Sequence, residues 1–267
     1  MVRSFFLKVC AFLGLAVFFC GAVPLAAEQQ PVQYPQDIQR IIDRGELRVA
    51  MLGIDMYPLF YTALDGSVRG SDVTLSEQIA KELGVRLRII RTEKTFDGVV
   101  DTVVRGDADM AISFISMTSK RALRCRFSQP YLKQDIYLVA DRRTNSAVIK
   151  NAVFCELMDS AYIEIARQLY PDAQILTCPS WDNVMQAVAD GNAQYSIRDE
   201  VGVTNFMHAN KRLSLRLKLT PIKNVQDSIA VALPIESEAL VQWLNTFLYL
   251  NNFPKTVKQV FEIYGER

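Results

Sequence analysis

The sequence predicts an α/β fold, because segments of strand character alternate with segments of helix character along most of the chain. Short apolar runs that end at polar turns are followed by segments whose apolar residues recur at helical spacing. This alternation occurs twice, and extended segments near residues 136–142 and 222–228 connect the two halves. No Gly/Ser-rich linker separates the halves. We therefore expect two lobes joined by two crossover strands, each lobe with a mostly parallel sheet flanked by helices.

The first half begins with a short amphipathic helix and then alternates strands with helices. Apolar residues at helical spacing, followed by a glycine, predict helices that end near Gly45, Gly84 and Gly106. Predicted strands cover residues 47–51, 85–90 and 110–112, and predicted helices cover residues 38–44, 75–83 and 96–104. A loop rich in aromatic residues follows the first strand.

The second half repeats the alternation before two closing helices. Predicted strands cover residues 152–156, 174–178 and 194–197, and predicted helices cover residues 160–169 and 181–189. The chain returns in extended form over residues 223–233, and the closing helices cover residues 238–250 and 254–264. Binding sites in parallel sheets lie beyond the carboxyl ends of the strands. We therefore expect the loop at 55–61 and the turn at 113–118 to border the site.

The first 27 residues have the pattern of a secretory signal peptide. Arg3 and Lys8 precede an uncharged apolar stretch, residues 9–23, and small residues end at Ala27, where cleavage is expected. The apolar stretch is short for a membrane span. An uncleaved anchor and a lipoprotein acylated at Cys20 are the alternatives. The signal peptide predicts a periplasmic location.

Charge and composition exclude some classes of function. The full chain carries a net charge of +1, and loss of the two basic residues of the signal peptide changes it to −1. Proteins that bind nucleic acids usually carry a basic excess, so no nucleic-acid partner is expected. His208 is the only histidine of the sequence, and the cysteine spacing does not match a zinc site. We therefore expect no metal and no other cofactor.

Three cysteines follow the signal peptide, and an oxidising compartment permits a disulfide between two of them. Cys155 and Cys178 lie in predicted strands that one helix separates, as in a βαβ unit. Because the strands of such a unit often pair, we favour a Cys155–Cys178 disulfide, which leaves Cys125 unpaired. Two buried thiols are the alternative.

Residues 106–131 form the most informative segment of the chain. A buried strand leads into a turn with several hydroxyl groups, and Arg121 follows in the first turn of a short helix. Ser116 and Thr118, together with free backbone N–H groups of the turn, can bind a carboxylate beside the planar guanidinium of Arg121. A solvated surface arginine is the alternative interpretation.

This segment resembles the periplasmic amino-acid-binding proteins of ABC transporters, also called family-3 extracellular solute-binding proteins. The family pattern contains Thr-x-x-Arg and then Phe-Ser-x-Pro-Tyr, which match residues 118–121 and 127–131. The resemblance extends over nearly all of residues 37–267. It implies the two-lobed periplasmic-binding-protein fold, with residues 28–138 and 226–267 in lobe 1 and residues 139–225 in lobe 2.

The resemblance also implies roles for individual residues. Arg121 would bind the ligand carboxylate, and Ser116 and Thr118 would add hydroxyl and backbone contacts. Asp199, at a strand end of lobe 2, would bind the ligand amine across a cleft that excludes water. Capping of the following helix is an alternative or additional role for Asp199.

Two further positions are less well matched to the family. At the first helix of lobe 2 the family has Gly followed by Ser or Thr, whereas this chain has Met158-Asp159-Ser160. Ser160 could contact an anionic group at the helix N-terminus, whereas Asp159 would oppose a carboxylate or act as a plain N-cap. In lobe 1, Tyr57 or Phe60 would pack against the ligand side chain, with core packing as the alternative.

The leading hypothesis is a solute-binding protein, not an enzyme, that closes two lobes over a small amino-acid-like ligand. It would act as a monomer and deliver the ligand to the membrane permease of an ABC transporter, or signal to a sensor protein. A periplasmic dehydratase of the cyclohexadienyl type is an alternative, with Glu156, Asp159 or Glu200 as general acid. A degenerate paralogue for sensing or interaction is another, because Met158, Ser71 and Thr74 replace family residues.

Overall fold

The computed structural model of the protein describes residues 33–144 and 149–265. The expected signal peptide, residues 1–27, and Cys20 lie outside the described residues. None of the helices in the described part of the chain has the length and apolar character needed to cross a membrane.

The first part of the chain alternates helices and strands and ends in a long strand. Its elements are α1 Gln36–Arg44, β1 Glu46–Ala50, β2 Tyr61–Thr62, β3 Val68–Arg69, α2 Ser71–Glu82, β4 Arg86–Ile90, α3 Phe96–Val104, β5 Met110–Ala111, α4 Ser119–Ala122 and β6 Cys125–Asp141. The predicted helix over 96–104 has the observed bounds. The hairpin of β2 and β3 was not predicted, because each of its strands has only two residues.

The second part repeats the alternation and returns through another long strand. Its elements are β7 Val153–Leu157, α5 Ala161–Leu169, β8 Gln174–Cys178, α6 Trp181–Asp190, β9 Tyr195–Asp199, α7 Glu200–Ala209, α8 Lys211–Ser214, β10 Leu217–Pro234, α9 Glu238–Leu250, β11 Lys255–Thr256 and α10 Val257–Tyr264. Helix α10 begins at Val257, later than predicted, because Thr256 and Gln259 form a capping box there.

One continuous sheet runs through both parts in the order β4-β1-β5-β10-β6-β9-β7-β8, and β11 pairs with β6. Strands β4, β1 and β5 are parallel, and so are β9, β7 and β8. Strands β10 and β6 are antiparallel to each other and lie between these two groups. The predicted α/β fold with two mostly parallel halves is therefore confirmed. The two connections are long strands, so the halves share one sheet.

The pairing of β6 with β10 is irregular at one place. Tyr137 pairs with Pro221 and Asp135 pairs with Gln226, so residues 222–225 lie opposite Ile136. Asn224, in this bulge, has a φ of 61°, in the left-handed region. The bulge lies within the predicted connecting segment at 222–228, where a change in angle between the halves would disturb few backbone hydrogen bonds.

The core is divided in the same way as the sheet. One cluster packs both faces of the first half and includes Leu47, Val49 and Met110, which are fully buried. Two separate clusters pack the second half, one around Phe154 and Ile197 and the other around Val184 and other side chains of α6. Each half therefore buries most of its own apolar side chains, although Val201 of α7 packs in the cluster of the first half.

Cys155 and Cys178 form the predicted disulfide, which joins the neighbouring strands β7 and β8 with a Cα–Cα distance of 6.6 Å. Parallel pairing of these strands, with one helix between them, brings the two cysteines together. Cys125 is a buried free thiol in β6, and burial raises its pKa to about 11. It therefore behaves as a small apolar side chain.

Removal of the disulfide is expected to lower the stability of the protein. The double variant Cys155→Ala/Cys178→Ala should lose about 3 kcal/mol in free energy of unfolding, because the bridge closes a loop with a sequence separation of 23 residues. Urea unfolding measures the difference. A reducing agent should destabilise the wild type by a similar amount and leave the double variant unchanged. Equal stability of the two proteins under oxidising conditions would contradict the expectation.

Candidate functional site

The hydroxyl-rich turn after β5 is fixed by a buried carboxyl group. Phe114 has a φ of 53°, and its N–H donates to Asp72 Oδ2 at 2.9 Å and to the Tyr131 hydroxyl at 3.0 Å. The Tyr131 hydroxyl in turn donates to the same Asp72 oxygen at 2.9 Å. Burial raises the pKa of Asp72 to about 7. These bonds hold the turn in a left-handed conformation that a bulky residue rarely adopts.

Arg121 is buried rather than solvated, with an exposed fraction of 3%. Thr118 caps α4 by accepting the Arg121 backbone N–H at 3.2 Å. The guanidinium donates from Nε to Asp97 Oδ1 at 2.9 Å and from Nη1 to the Ser116 carbonyl at 3.0 Å. Its Nη2 donates to the Asp159 carbonyl at 3.4 Å. These bonds use three of the five guanidinium N–H groups. The other two have no acceptor among the described residues.

Asp97, in the first turn of α3, orients Arg121 and was not identified from the sequence. Burial alone would raise the pKa of Asp97, but hydrogen bonds and charge from Arg121 and Lys120 outweigh it and lower the pKa. Asp97 is therefore a carboxylate at neutral pH. Asp97 neutralises part of the charge of Arg121 through the bond to Nε. The guanidinium N–H groups without an acceptor stay available.

The Ser116 hydroxyl is part of a buried network. It donates to Asp227 Oδ2 at 2.9 Å, and the same oxygen accepts from Gln134 Nε2 at 3.0 Å and from the Tyr162 hydroxyl at 2.9 Å. Burial raises the pKa of Asp227, although these three hydrogen bonds act in the opposite direction. Asp227 lies in β10 and Tyr162 in α5, so the network links elements of both halves of the sheet.

Asp199 has two bonds that occupy both of its carboxylate oxygens. Oδ1 accepts the Gly202 N–H at 2.6 Å, so Asp199 caps α7 as the alternative interpretation predicts. Oδ2 accepts from Arg198 Nη1 at 3.1 Å. The guanidinium of Arg198 also lies over the ring of Trp181, with its central carbon 3.5 Å from the ring centroid.

The residue before the N-cap of α5 has a backbone conformation typical of glycine, although it is an aspartate. Asp159 is exposed and has a φ of 60°, in the left-handed region. Ser160 occupies the N-cap position, so the interpretation of Asp159 as a plain N-cap is wrong. The Ser160 hydroxyl is buried and has no hydrogen-bond partner among the described residues. Asp159 accepts a hydrogen bond from Arg121 Nη2 at its backbone carbonyl.

A substitution at Asp159 tests this conformation. Asp159→Ala should lower the free energy of unfolding by about 1 kcal/mol, because alanine is disfavoured in the left-handed region by about 1–2 kcal/mol. Asp159→Asn removes the same charge, but asparagine adopts the left-handed conformation readily. The free energy of unfolding of this variant should therefore match that of the wild type within about 0.5 kcal/mol. Urea midpoints measure both. Equal values for the alanine and asparagine variants would show that the backbone at this position carries no penalty.

The two predicted aromatic residues lie outside the innermost part of the cleft. Phe60 is fully buried in the core of the first half. Tyr57 is partly exposed, its ring centroid is 5.1 Å from that of Tyr61, and its carbonyl accepts from the Asn205 side chain. The aromatic side chains that line the inner cavity are those of Phe96, Phe114, Tyr162 and Trp181.

The cleft between the halves contains two adjoining cavities that share Arg121, Ser160 and Ala161. The inner cavity has a volume of about 10 Å³, enough for about one water molecule. The outer cavity has a volume of about 420 Å³ and is bordered by charged residues of both halves: Asp97, Lys120, Asp159, Glu164 and Arg167. The described residues contain no cluster of acidic, cysteine and histidine side chains that could hold a metal ion.

The sequence model of the bacterial extracellular solute-binding proteins, family 3, matches residues 47–265. The chain belongs to this family. Two solved structures share the fold of this chain. A substrate-binding protein of an amino acid ABC transporter, AbpA from Streptococcus pneumoniae bound to L-arginine, is 25% identical, with a TM-score of 0.67 over 86% of this chain and all of that chain. An ancestral amino acid-binding protein, a precursor of cyclohexadienyl dehydratase, is 21% identical, with a TM-score of 0.66 over 86% of this chain and 99% of that chain.

Among curated relatives, this family-3 protein is similar to enzymes over part of their length. It is 27% identical to a membrane-bound lytic murein transglycosylase F from Erwinia tasmaniensis, over 68% of this chain and 38% of that protein. It is 28% identical to cyclohexadienyl dehydratase from Pseudomonas aeruginosa, over 61% of this chain and 63% of that protein. The chain spans less than half the length of the transglycosylase relative, so that similarity describes one part of a larger protein.

Proposed function

We propose that the protein binds a small, amino-acid-sized carboxylate between two lobes and delivers it, as a monomer in the periplasm, to the permease of an ABC transporter. The observation that carries the proposal is the buried guanidinium of Arg121, which faces both cavities of the cleft. Asp97 and two carbonyl groups fix its orientation, and two of its N–H groups remain for an anion. A planar fork held in this way suits a carboxylate.

We place lobe 1 at residues 28–138 and 226–267 and lobe 2 at residues 139–225, with the hinge in β6 and β10. The bulge at residues 222–225 supports this hinge, because the backbone there has no regular partners to lose when the lobes rotate. The apolar clusters of the two halves, which are separate except for Val201 in the cluster of the first half, support it as well.

The present arrangement corresponds to a closed cleft. Contacts across the proposed lobe boundary include Ser119 to Glu164 at 2.7 Å and Tyr162 to Asp227 at 2.9 Å. A solute would enter the open form, and its carboxylate would then be enclosed when the lobes close. Ser116 and Thr118 would act mainly by positioning Arg121, since the Ser116 hydroxyl is bound to Asp227.

A dehydratase is the second candidate, favoured by the similarity to cyclohexadienyl dehydratase and by one buried acid. Glu156 is fully buried, and burial raises its pKa to about 8, so it carries a proton at neutral pH, as a general acid must. However, Glu156 accepts hydrogen bonds from the Ile197 N–H at 2.7 Å and from Ser196 at 3.4 Å, and it does not line either cavity. This position favours a structural role, and therefore binding over catalysis.

A thermal-shift screen of the purified protein against small carboxylates and amino acids tests the proposal. A solute present at 100 times its dissociation constant should stabilise the protein by about 2.7 kcal/mol. We expect a shift with at least one carboxylate and none with the matching primary amide, which lacks the negative charge. The absence of a shift with any carboxylate would overturn the proposed function.

A further inference from the structure

The side chain of Arg198 fills a guanidinium-binding pocket in the wall of the cleft. Trp181 covers one face of the group at 3.5 Å, and Asp199 pairs with Nη1 at 3.1 Å. The first turn of α7 also packs against the group, since a Cβ at Gly202 would overlap the guanidinium carbon and two of its nitrogens. Arg198 is only 6% exposed, so the pocket of Trp181, Asp199 and Gly202 is filled.

This filled pocket coincides with the predicted binding position of the ligand amine. Asp199 is the acid assigned to that amine, and it lines the inner cavity beside Arg198 and Arg121. An ammonium group placed against Asp199 would adjoin a second cation in a site that excludes water, where repulsion between like charges is strong. Asp227, a second buried acid, already accepts three hydrogen bonds.

We propose that Arg198 is a built-in occupant of the amine position, so that the solute of this cleft is a carboxylate without an ammonium group. The inference rests on the proposed function and narrows its ligand class to such acids as 2-oxo, hydroxy or dicarboxylic acids. Two buried polar groups agree with it. Arg198 and Ser160 both line the inner cavity, and Arg198 Nε and the Ser160 hydroxyl are buried without a partner among the described residues; both can donate to an oxygen.

Calorimetric titration with matched pairs of acids tests the inference. Each pair differs only in the group on the α-carbon: L-glutamate and 2-oxoglutarate, L-phenylalanine and phenylpyruvate, L-leucine and 4-methyl-2-oxopentanoate. The wild type should bind at least one 2-oxo acid about tenfold or more tightly than its amino acid. If the wild type prefers the amino acid in every pair for which binding is detected, the inference is overturned. This holds also if Asp159 or Glu164, rather than Asp199, binds the amine.

Two variants test whether Arg198 is the cause. Arg198→Ala empties the pocket, and Gly202→Ala expels the guanidinium while it keeps both Arg198 and Asp199. Alanine is compatible with helix α7, and the group that it displaces is the end of a flexible side chain. Both variants should move the preference toward the amino acid by about tenfold or more. An unchanged preference in both variants, with unfolding curves that show a folded protein, would overturn the inference.

Failure of the inference and failure of the proposed function give different results. Binding of amino acids that Arg121→Ala abolishes would overturn the inference and keep the carboxylate-binding function. Absence of binding by the wild type and by both variants, for every acid of every pair, would overturn both.

Discussion

Glu156→Gln is expected to remove a large loss of stability that the wild type undergoes as the pH rises from about 4.5 to about 8. Burial raises the pKa of Glu156 from 4.5 to about 8 in the folded protein. The folded state therefore holds this proton more tightly than the unfolded state, and the stability from the neutral form is fully present below pH 4.5. It is lost as the pH rises through about 8. The difference corresponds to about 5 kcal/mol.

The carboxyl group of Glu156 has a structural role in the sheet despite this cost. Strands β7 and β9 pair only at Phe154 and Tyr195, and beyond that point the Glu156 side chain accepts the backbone N–H of Ile197. The carboxyl group therefore replaces a hydrogen bond of the sheet. Glutamine keeps the accepting oxygen and stays neutral at every pH, so it should preserve the connection.

Urea unfolding of the wild type and Glu156→Gln between pH 4.5 and 8.5 measures the effect. The difference in free energy of unfolding should grow with pH in favour of the variant. Glu77→Gln, which removes an exposed carboxyl group on α2, serves as the matched control and should keep the decline of the wild type. Parallel curves for the wild type and Glu156→Gln would show that Glu156 ionises without cost.

Asp227→Ala is expected to destabilise the protein by about 3–5 kcal/mol. The substitution leaves three donors without their acceptor: Ser116, Gln134 and the Tyr162 hydroxyl, all of them buried. Each unsatisfied buried donor costs about 1–3 kcal/mol. Tyr162→Phe removes one donor and leaves the other two paired, so it should cost only about 1 kcal/mol.

Chemical unfolding at neutral pH compares the two variants. The alanine variant should lose at least twice as much free energy of unfolding as Tyr162→Phe. Because Tyr162 belongs to the second half and Asp227 to β10, Tyr162→Phe should also favour the open form, which small-angle scattering detects as a larger radius of gyration. Similar costs for the two substitutions would contradict a network in which one carboxyl group serves three donors.

The order of strands and helices could be predicted from the sequence because each element has a local signal. The helix over 96–104 begins after Thr95, whose side chain caps it, and the strands over 174–178 and 85–90 have clear apolar patterns. The disulfide followed from the pairing rule of βαβ units. The length of β6 did not, because Pro130 cannot donate to the sheet and interrupts the pattern, whereas the structure accommodates it where the register shifts.

The electrostatics of the cleft could be predicted only in part. Arg121 and Asp199 follow strand ends and match the pattern of a family, so the sequence identifies them. Asp97 pairs with Arg121 from another helix, and Asp227 reaches Ser116 across 111 positions of the chain. Such contacts depend on tertiary packing and leave no periodic pattern. The position of Arg198 against Trp181 depends on a side-chain rotamer, which the sequence does not specify. Gly202, which leaves room for the guanidinium, is a feature of the sequence that agrees with it.

The most direct test of the central claim compares carboxylate binding by Arg121→Ala and Arg124→Ala. Both arginines lie in the same short segment, but Arg124 pairs with Asp101 and lines neither cavity of the cleft. Calorimetric titration with the carboxylate that gives the largest thermal shift should show affinity reduced about 100-fold or more in Arg121→Ala, because a buried charged partner is removed. Arg124→Ala should bind like the wild type. Equal affinities of Arg121→Ala and the wild type would contradict a cleft organised around Arg121.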